Sequence, residues 1–193
     1  MWLRAVVPAD QSSPTKFALK TVLKNYGQIL KHRQFLGLAL TIPLFYGAQW
    51  FYLSFLPFYT HEVLGVSSEL YGMALGFLPV PGFFIGSFCS RYLPKYIGIN
   101  KTMYLGISCG IAASGVLLFL YAFSWVSLLT ICGALGLFLF GLSLLFPTTV
   151  PICLEHFKSI KSTASSVRSG LVILGGGIGA YFAEISSDNP SCV

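Results

Sequence analysis

Tyr46, Gln49, Trp50 and Ser54 stand at i, i+3, i+4 and i+8 inside a run, residues 35–59, that has no charged side chain. Two aromatic faces, one amide and one hydroxyl in a helical row are groups that hold a molecule rather than break its bonds. An amide turned toward hydrocarbon would leave its donors and acceptor unpaired, so this row must face protein or a water-filled cavity.

Bond-breaking chemistry has no comparable pattern. There is no Ser/His/Asp constellation, phosphate-cradling loop or H-E-x-x-H, and His32, His61 and His156 are far apart in the chain. Gly175-Gly176-Gly177 lies inside an apolar run with no Lys behind it. Cys89, Cys109, Cys132, Cys153 and Cys192 show no C-x-x-C spacing and no His partner. The first four sit in or beside apolar runs, where Cys serves as a small hydrophobe; Cys192 is in a polar tail. The sequence therefore predicts neither an enzyme nor a metal or cofactor site.

The elements that must carry the row follow from composition. The 193 residues are 55% hydrophobic and only 9% charged, with a mean hydropathy of +0.76. An ordinary soluble domain has about 25% charged residues, so the composition is that of an integral membrane protein. The net charge of +6 is spread over segments between apolar runs rather than gathered in a patch, which argues against a nucleic-acid partner. The predicted fold is all-α, with spans at about 35–59, 70–90, 102–123, 126–147 and 163–185. A basic segment, 1–34, precedes them and a polar tail, 186–193, follows.

Within 1–34 the pattern is not that of a cleavable signal peptide. Ser13-Pro14 reads as a helix start, and Phe17, Leu19, Val22, Leu23, Tyr26, Ile29 and Leu30 recur mostly at spacings of three and four. Lys16, Lys20 and Lys24 occupy another face. Two readings follow: a helix lying on membrane lipid with its Lys on acidic headgroups, or a solvated linker helix. In the first span Pro43 predicts a bend and Pro57 an end. Gly72, Gly76, Gly82 and Gly86 thin one side of the second span, and Pro79-Val80-Pro81 breaks its ladder near the middle. That break is either a bend for packing or a hinge. The third span has no polar row and reads as a support. In the fifth, Gly170, Gly175, Gly176, Gly177 and Gly179 predict an interface helix, and Arg168, about a turn inside the end, can snorkel to the membrane surface.

Between the second and third spans, residues 86–101 form a short basic connection containing Gly86, Arg91, Lys95, Gly98 and Lys101, with Pro94 and Gly98 expected to stop the helix. Lys and Arg mark cytoplasmic loops. All twelve fall on one side of the predicted spans, while Glu62, Glu69, Glu184 and Asp188 fall on the other. The expected topology has the N-terminus in the cytoplasm and the C-terminus outside.

Gly86, Arg91, Gly98 and Lys101 resemble the loop between helices of a major facilitator transporter half. The acidic residue often found before that Arg is Ser90 here. Residues 23–37 resemble the lead-in to the seventh helix of drug/proton antiporters of the bicyclomycin-resistance (Bcr/CflA) type. Gly141 through Phe146-Pro147, followed by Thr163-Ala164-Ser165-Ser166, is similar to that family's tenth helix and the start of its eleventh. The resemblance spans about residues 20–185, corresponding to the central loop and helices seven to eleven, without the first six or the twelfth. It implies that the first and fourth spans line a central cavity, adding Ser143 and Thr148 to the candidates. It also implies that the second and fifth spans, with Pro79, Pro81, Gly175, Gly176, Gly177 and Gly179, meet the other half. The expected function is multidrug efflux in a bacterial inner membrane by drug/proton antiport. The partners would be membrane lipid, a bulky, weakly polar drug, protons and an N-terminal six-helix half. The alternative is a truncated, non-transporting remnant or an accessory membrane subunit. Since no acidic residue lies near the middle of a span, the proton-carrying carboxylate is expected from the partner half.

Overall fold

The computed structural model describes Gly27, Ile29, residues 33–155 and residues 161–187. The amphipathic segment ahead of the first span and Cys192 lie outside the described residues. Among the described residues six helices follow one another: α1 (Arg33–Glu62), α2 (Ser68–Phe77), α3 (Val80–Ile97), α4 (Ile99–Ala122), α5 (Leu128–Glu155) and α6 (Lys161–Ser187). Since α2 and α3 run on as one span, five segments among the described residues are long and apolar enough to cross a membrane: Phe35–Glu62, Ser68–Ile97, Ile99–Ala122, Leu128–Cys153 and Lys161–Ser187. This is the all-α membrane fold that composition predicts.

Several helix ends lie beyond the expected ones, and the cause is local. Pro57 does not end α1, which continues to Glu62. Pro57 leaves the Leu53 carbonyl, one turn back, without its helical donor, and α1 absorbs that single loss; the Thr60 hydroxyl donates to the carbonyls of Leu56 and Pro57 at 2.9 and 3.1 Å. The helix stops only at Gly65, whose φ of 63° closes the turn so that Val66 N–H reaches the Thr60 carbonyl. Pro147 and Pro151 likewise sit inside α5; they leave the Ser143 and Pro147 carbonyls without helical donors, while the Thr148 and Thr149 hydroxyls donate to the Leu144, Leu145 and Phe146 carbonyls.

Pro94 also lies within a helix. It falls in the last turn of α3, where one missing bond disturbs little, and Gly98 at φ 87° makes the turn into α4. The basic connection is therefore helical rather than a loop: Gly86, Arg91 and Lys95 belong to α3 and Lys101 to α4. By contrast, Pro79-Val80-Pro81 interrupts the second span as expected. The helix lapses at Leu78 and Pro79, and Pro81 enters α3 in its first turn, where no intrahelical donor is needed. Ser67 caps α2 through Leu70 N–H, and Ser127 exchanges reciprocal bonds with Thr130 at the start of α5.

Packing divides the bundle. α1 lies along α6, while α5 takes both α4 and α3. At the crossings, glycine backbones meet directly. A Cβ on Gly47 would stand 2.7 Å from the Gly175 carbonyl oxygen, and one on Gly141 3.2 Å from Gly110 nitrogen. Gly82 abuts Gly136 in the same manner. Gly106 and Gly110 thus hold the third span, read as a support, against α5 and Phe45 of α1. One apolar cluster, with Ile29, Phe35, Ala39, Cys153, Ala164 and Val167, fills the end where α6 begins. A second gathers Leu56, Ile131 and Leu135 at the opposite end. Cys132 and Cys153 are fully enclosed, as expected of small hydrophobes.

Candidate functional site

α1 and α3 both lean on α5, and between the three lies a cavity of about 400 Å³. Tyr46 and Gln49 come from α1, Phe83, Ser87 and Ser90 from α3, and Leu142, Ser143, Phe146 and Pro147 from α5. Tyr46 stands edge-on to Phe146, with ring centroids 6.2 Å apart, and edge-on to Trp50 at the same separation. The Ser90 and Ser143 hydroxyls donate to the Ser87 and Phe140 carbonyls, both at 2.7 Å. Their protons are spent on their own helices, which leaves oxygen lone pairs as acceptors. Gln49 Oε1 is buried without a hydrogen-bond partner. A buried amide oxygen of this kind requires a donor from water or a bound molecule. The arrangement can clasp an aromatic body and match a few polar groups on it.

Not every expected residue joins the cavity. Tyr46, Gln49 and Ser143 do. Trp50 sits beside it, 42% exposed, with its ring over Gly176. Ser54, two turns beyond Tyr46, is outside the lining. Thr148 is fully buried, its hydroxyl donating to the Leu144 and Leu145 carbonyls, and it lies outside the cavity lining. Phe83, Ser87 and Ser90 are the residues that sequence reasoning missed. They stand at i, i+4 and i+7, the same kind of row that singles out Tyr46 and Gln49 in the first span.

The glycines read as an interface meet partners within this chain. Gly175 and Gly179 face the backbone of Pro43 and Gly47, and Gly176 lies under the rings of Tyr46 and Trp50. Gly177 faces open space. Pro79 is buried beside Gly136, so the break in the second span is packed against α5. Gly86 is buried against Ser143 and Phe140, and its lack of a side chain lets α3 approach α5 at the cavity. Arg91, Lys95 and Lys101 are exposed, and none forms an ion pair among the described residues. Arg168 departs from expectation. It does not reach out to the membrane surface but is only 8% exposed, with Nη2 3.5 Å from Thr149 Oγ1 and the guanidinium 5.8 Å from the Phe146 ring centre. The side chain lies on the face of α6 that meets α5, so the straight route to the surface is closed.

Apolar spans with a small aromatic and hydroxyl-lined cavity between α1, α3 and α5 define a multi-pass membrane protein. The family model described as Major Facilitator Superfamily matches residues 1–180, and the chain belongs to that family of membrane transporters. It is similar to the uncharacterized MFS-type transporter YdgK of Bacillus subtilis, with 24% identity over 178 residues, covering 91% of this chain and 43% of that protein. It is also similar to the chloramphenicol resistance protein CraA of Acinetobacter baumannii, with 24% identity over 185 residues, 95% of this chain and 43% of CraA. The chain thus spans less than half the length of the curated relatives it matches. No solved structure matches it.

Proposed function

We propose that the chain is part of a drug efflux transporter of the bacterial inner membrane, working by alternating access between two helical halves. The carrying observation is the cavity between α1, α3 and α5, where Gln49 Oε1 lacks a partner amid Tyr46, Phe83 and Phe146. Aromatic faces and one amide suit bulky, weakly polar drugs, and the likeness to a chloramphenicol resistance protein supports export.

The partner half supplies six helices and the proton-carrying carboxylate. Among the described residues with placed side chains, the acids are Glu62, Glu69 and Glu184, all exposed at span ends. Grooves along the outer side of α1, one walled by α4 and one by α6, share Phe51 and suit a further apolar helix. The N-terminus lies in the cytoplasm, since Arg91, Lys95, Lys101 and Lys161 cluster at one end of the spans and the three acids at the other. Pro79 and Pro81 act as the hinge of the second span during the alternation.

The test is a Gln49→Cys variant in the intact protein. Water-soluble thiol reagents should label it, and a transported drug should slow the labelling. Failure of Gln49→Cys, Tyr46→Cys and Ser143→Cys all to react would refute the cavity reading.

A further inference from the structure

A buried guanidinium is costly unless acceptors surround it. Arg168 has five N–H donors, yet among the described residues its only hydrogen bond is the one at 3.5 Å to Thr149 Oγ1. Its Nε is buried with no partner. No carboxylate approaches it among the described residues, and the acids with placed side chains are at the far ends of their spans. The Cys153 thiol of α5 also lies within electrostatic reach, and the guanidinium stands over the Phe146 ring. That ring is shared: one side meets the guanidinium, and the ring also forms part of the cavity wall with Tyr46. Phe146 is 38% exposed, free enough to swing. The Ser90 and Ser143 hydroxyls have given their protons to their own helices, whereas Arg168 is a cationic donor one side chain away from the cavity.

We propose that Arg168 is the anion subsite of this cavity, which takes amphiphiles with an aromatic body and one carboxylate, sulfonate or phosphate. The body lies against Tyr46, Phe83 and Phe146. The anionic head displaces the Phe146 ring from the guanidinium and accepts from Nε and an Nη together. This rests on the cavity reading above and adds a substrate class to it.

The test uses three labelled probes of one shape, 2-naphthoate, 2-naphthamide and 2-naphthylmethylammonium, bound to the intact protein in phosphatidylcholine nanodiscs. A charge-assisted pair in a dry site corresponds to about tenfold or more in affinity. The naphthoate should therefore bind about tenfold tighter than the amide, and the ammonium weakest. Arg168→Gln should remove the preference, with unfolding in SDS used to verify that the variant is folded, and Arg168→Lys should keep part of it. Equal binding of all three probes, or a naphthoate preference that survives Arg168→Gln, overturns the assignment of Arg168 while leaving the cavity reading intact. Absence of binding by any probe overturns both. Loss of the preference when phosphatidylglycerol replaces phosphatidylcholine assigns the anion to lipid and overturns the substrate class.

Discussion

Gly179 and Gly177 offer the same substitution in opposite surroundings. Replacing Gly177 with Ala puts a methyl into open space, whereas the same methyl on Gly179 stands 2.6 Å from the carbonyl carbon and 2.8 Å from the Cα of Gly47. These atoms are backbone and cannot turn aside. Ordinary contact begins at 3.4 Å, so the carbonyl carbon alone, at 2.6 Å, asks for about 0.8 Å of separation, and the nearer Gly47 carbonyl oxygen asks the α1 and α6 backbones for more. A gap of that size forfeits a quarter to a half of each local dispersion contact, and overpacking of this kind costs about 1–3 kcal/mol. Against it stands the helix-propensity gain of Gly→Ala, about 1 kcal/mol, which both variants share. Gly179→Ala should be less stable than Gly177→Ala by about 1–3 kcal/mol, roughly a 5- to 150-fold difference in unfolding equilibrium. Reversible unfolding in mixed micelles of rising SDS fraction reads the difference directly. Equal stability of the two variants would show that α1 and α6 are not held backbone to backbone.

Reporter fusions after Gly65, Gly98 and Trp125 should read outside, cytoplasm, outside; a cytoplasmic signal at Gly65 would reverse the topology. Thr60→Val should destabilise by about 1 kcal/mol, because the buried hydroxyl bonded to the Leu56 and Pro57 carbonyls is lost; unfolding in SDS measures it, and an unchanged midpoint would show that these bonds contribute nothing to α1. Neutralising Glu62, Glu69 and Glu184 together to Gln should leave proton-coupled transport by the intact protein unchanged, and its loss would place the coupling group in this half. Gly86→Ala should reduce drug binding several-fold, since the methyl meets Ser143 and Phe140 at the cavity, as equilibrium binding would register.

The number of spans and their order are legible in the sequence because hydrocarbon thickness imposes a length and a composition on each. The break at Pro79-Val80-Pro81 is legible too, because two donors are removed within three residues. Pro57, Pro94 and Pro147 mislead for a definite reason. A single missing donor is a local loss, which a long helix, or a position in its last turn, absorbs. Arg168 misleads differently. A helical row says which residues share a face, but not whether that face meets lipid or α5. The same limit separates Tyr46 and Gln49, which reach the cavity, from Ser54, which does not. Phe83, Ser87 and Ser90 were accessible to periodicity, but the prolines and glycines of the second span draw attention to packing instead.

Recognition and assembly rest on different atoms here. The cavity is walled by side chains, among them Tyr46, Phe83 and Phe146, whereas the crossings are held by the bare backbone of Gly47, Gly82, Gly141 and Gly175. Changes to the wall can alter what is bound without loosening the joints, so the specificity of such a half can drift quickly under selection while its skeleton stands still. Gly176 is where the two are coupled, because the Tyr46 and Trp50 rings lie on it 3.1 and 2.9 Å from where a Cβ would be. A methyl there would tilt both rings and reshape the cavity from behind, a route to altered drug range through a residue that touches no drug.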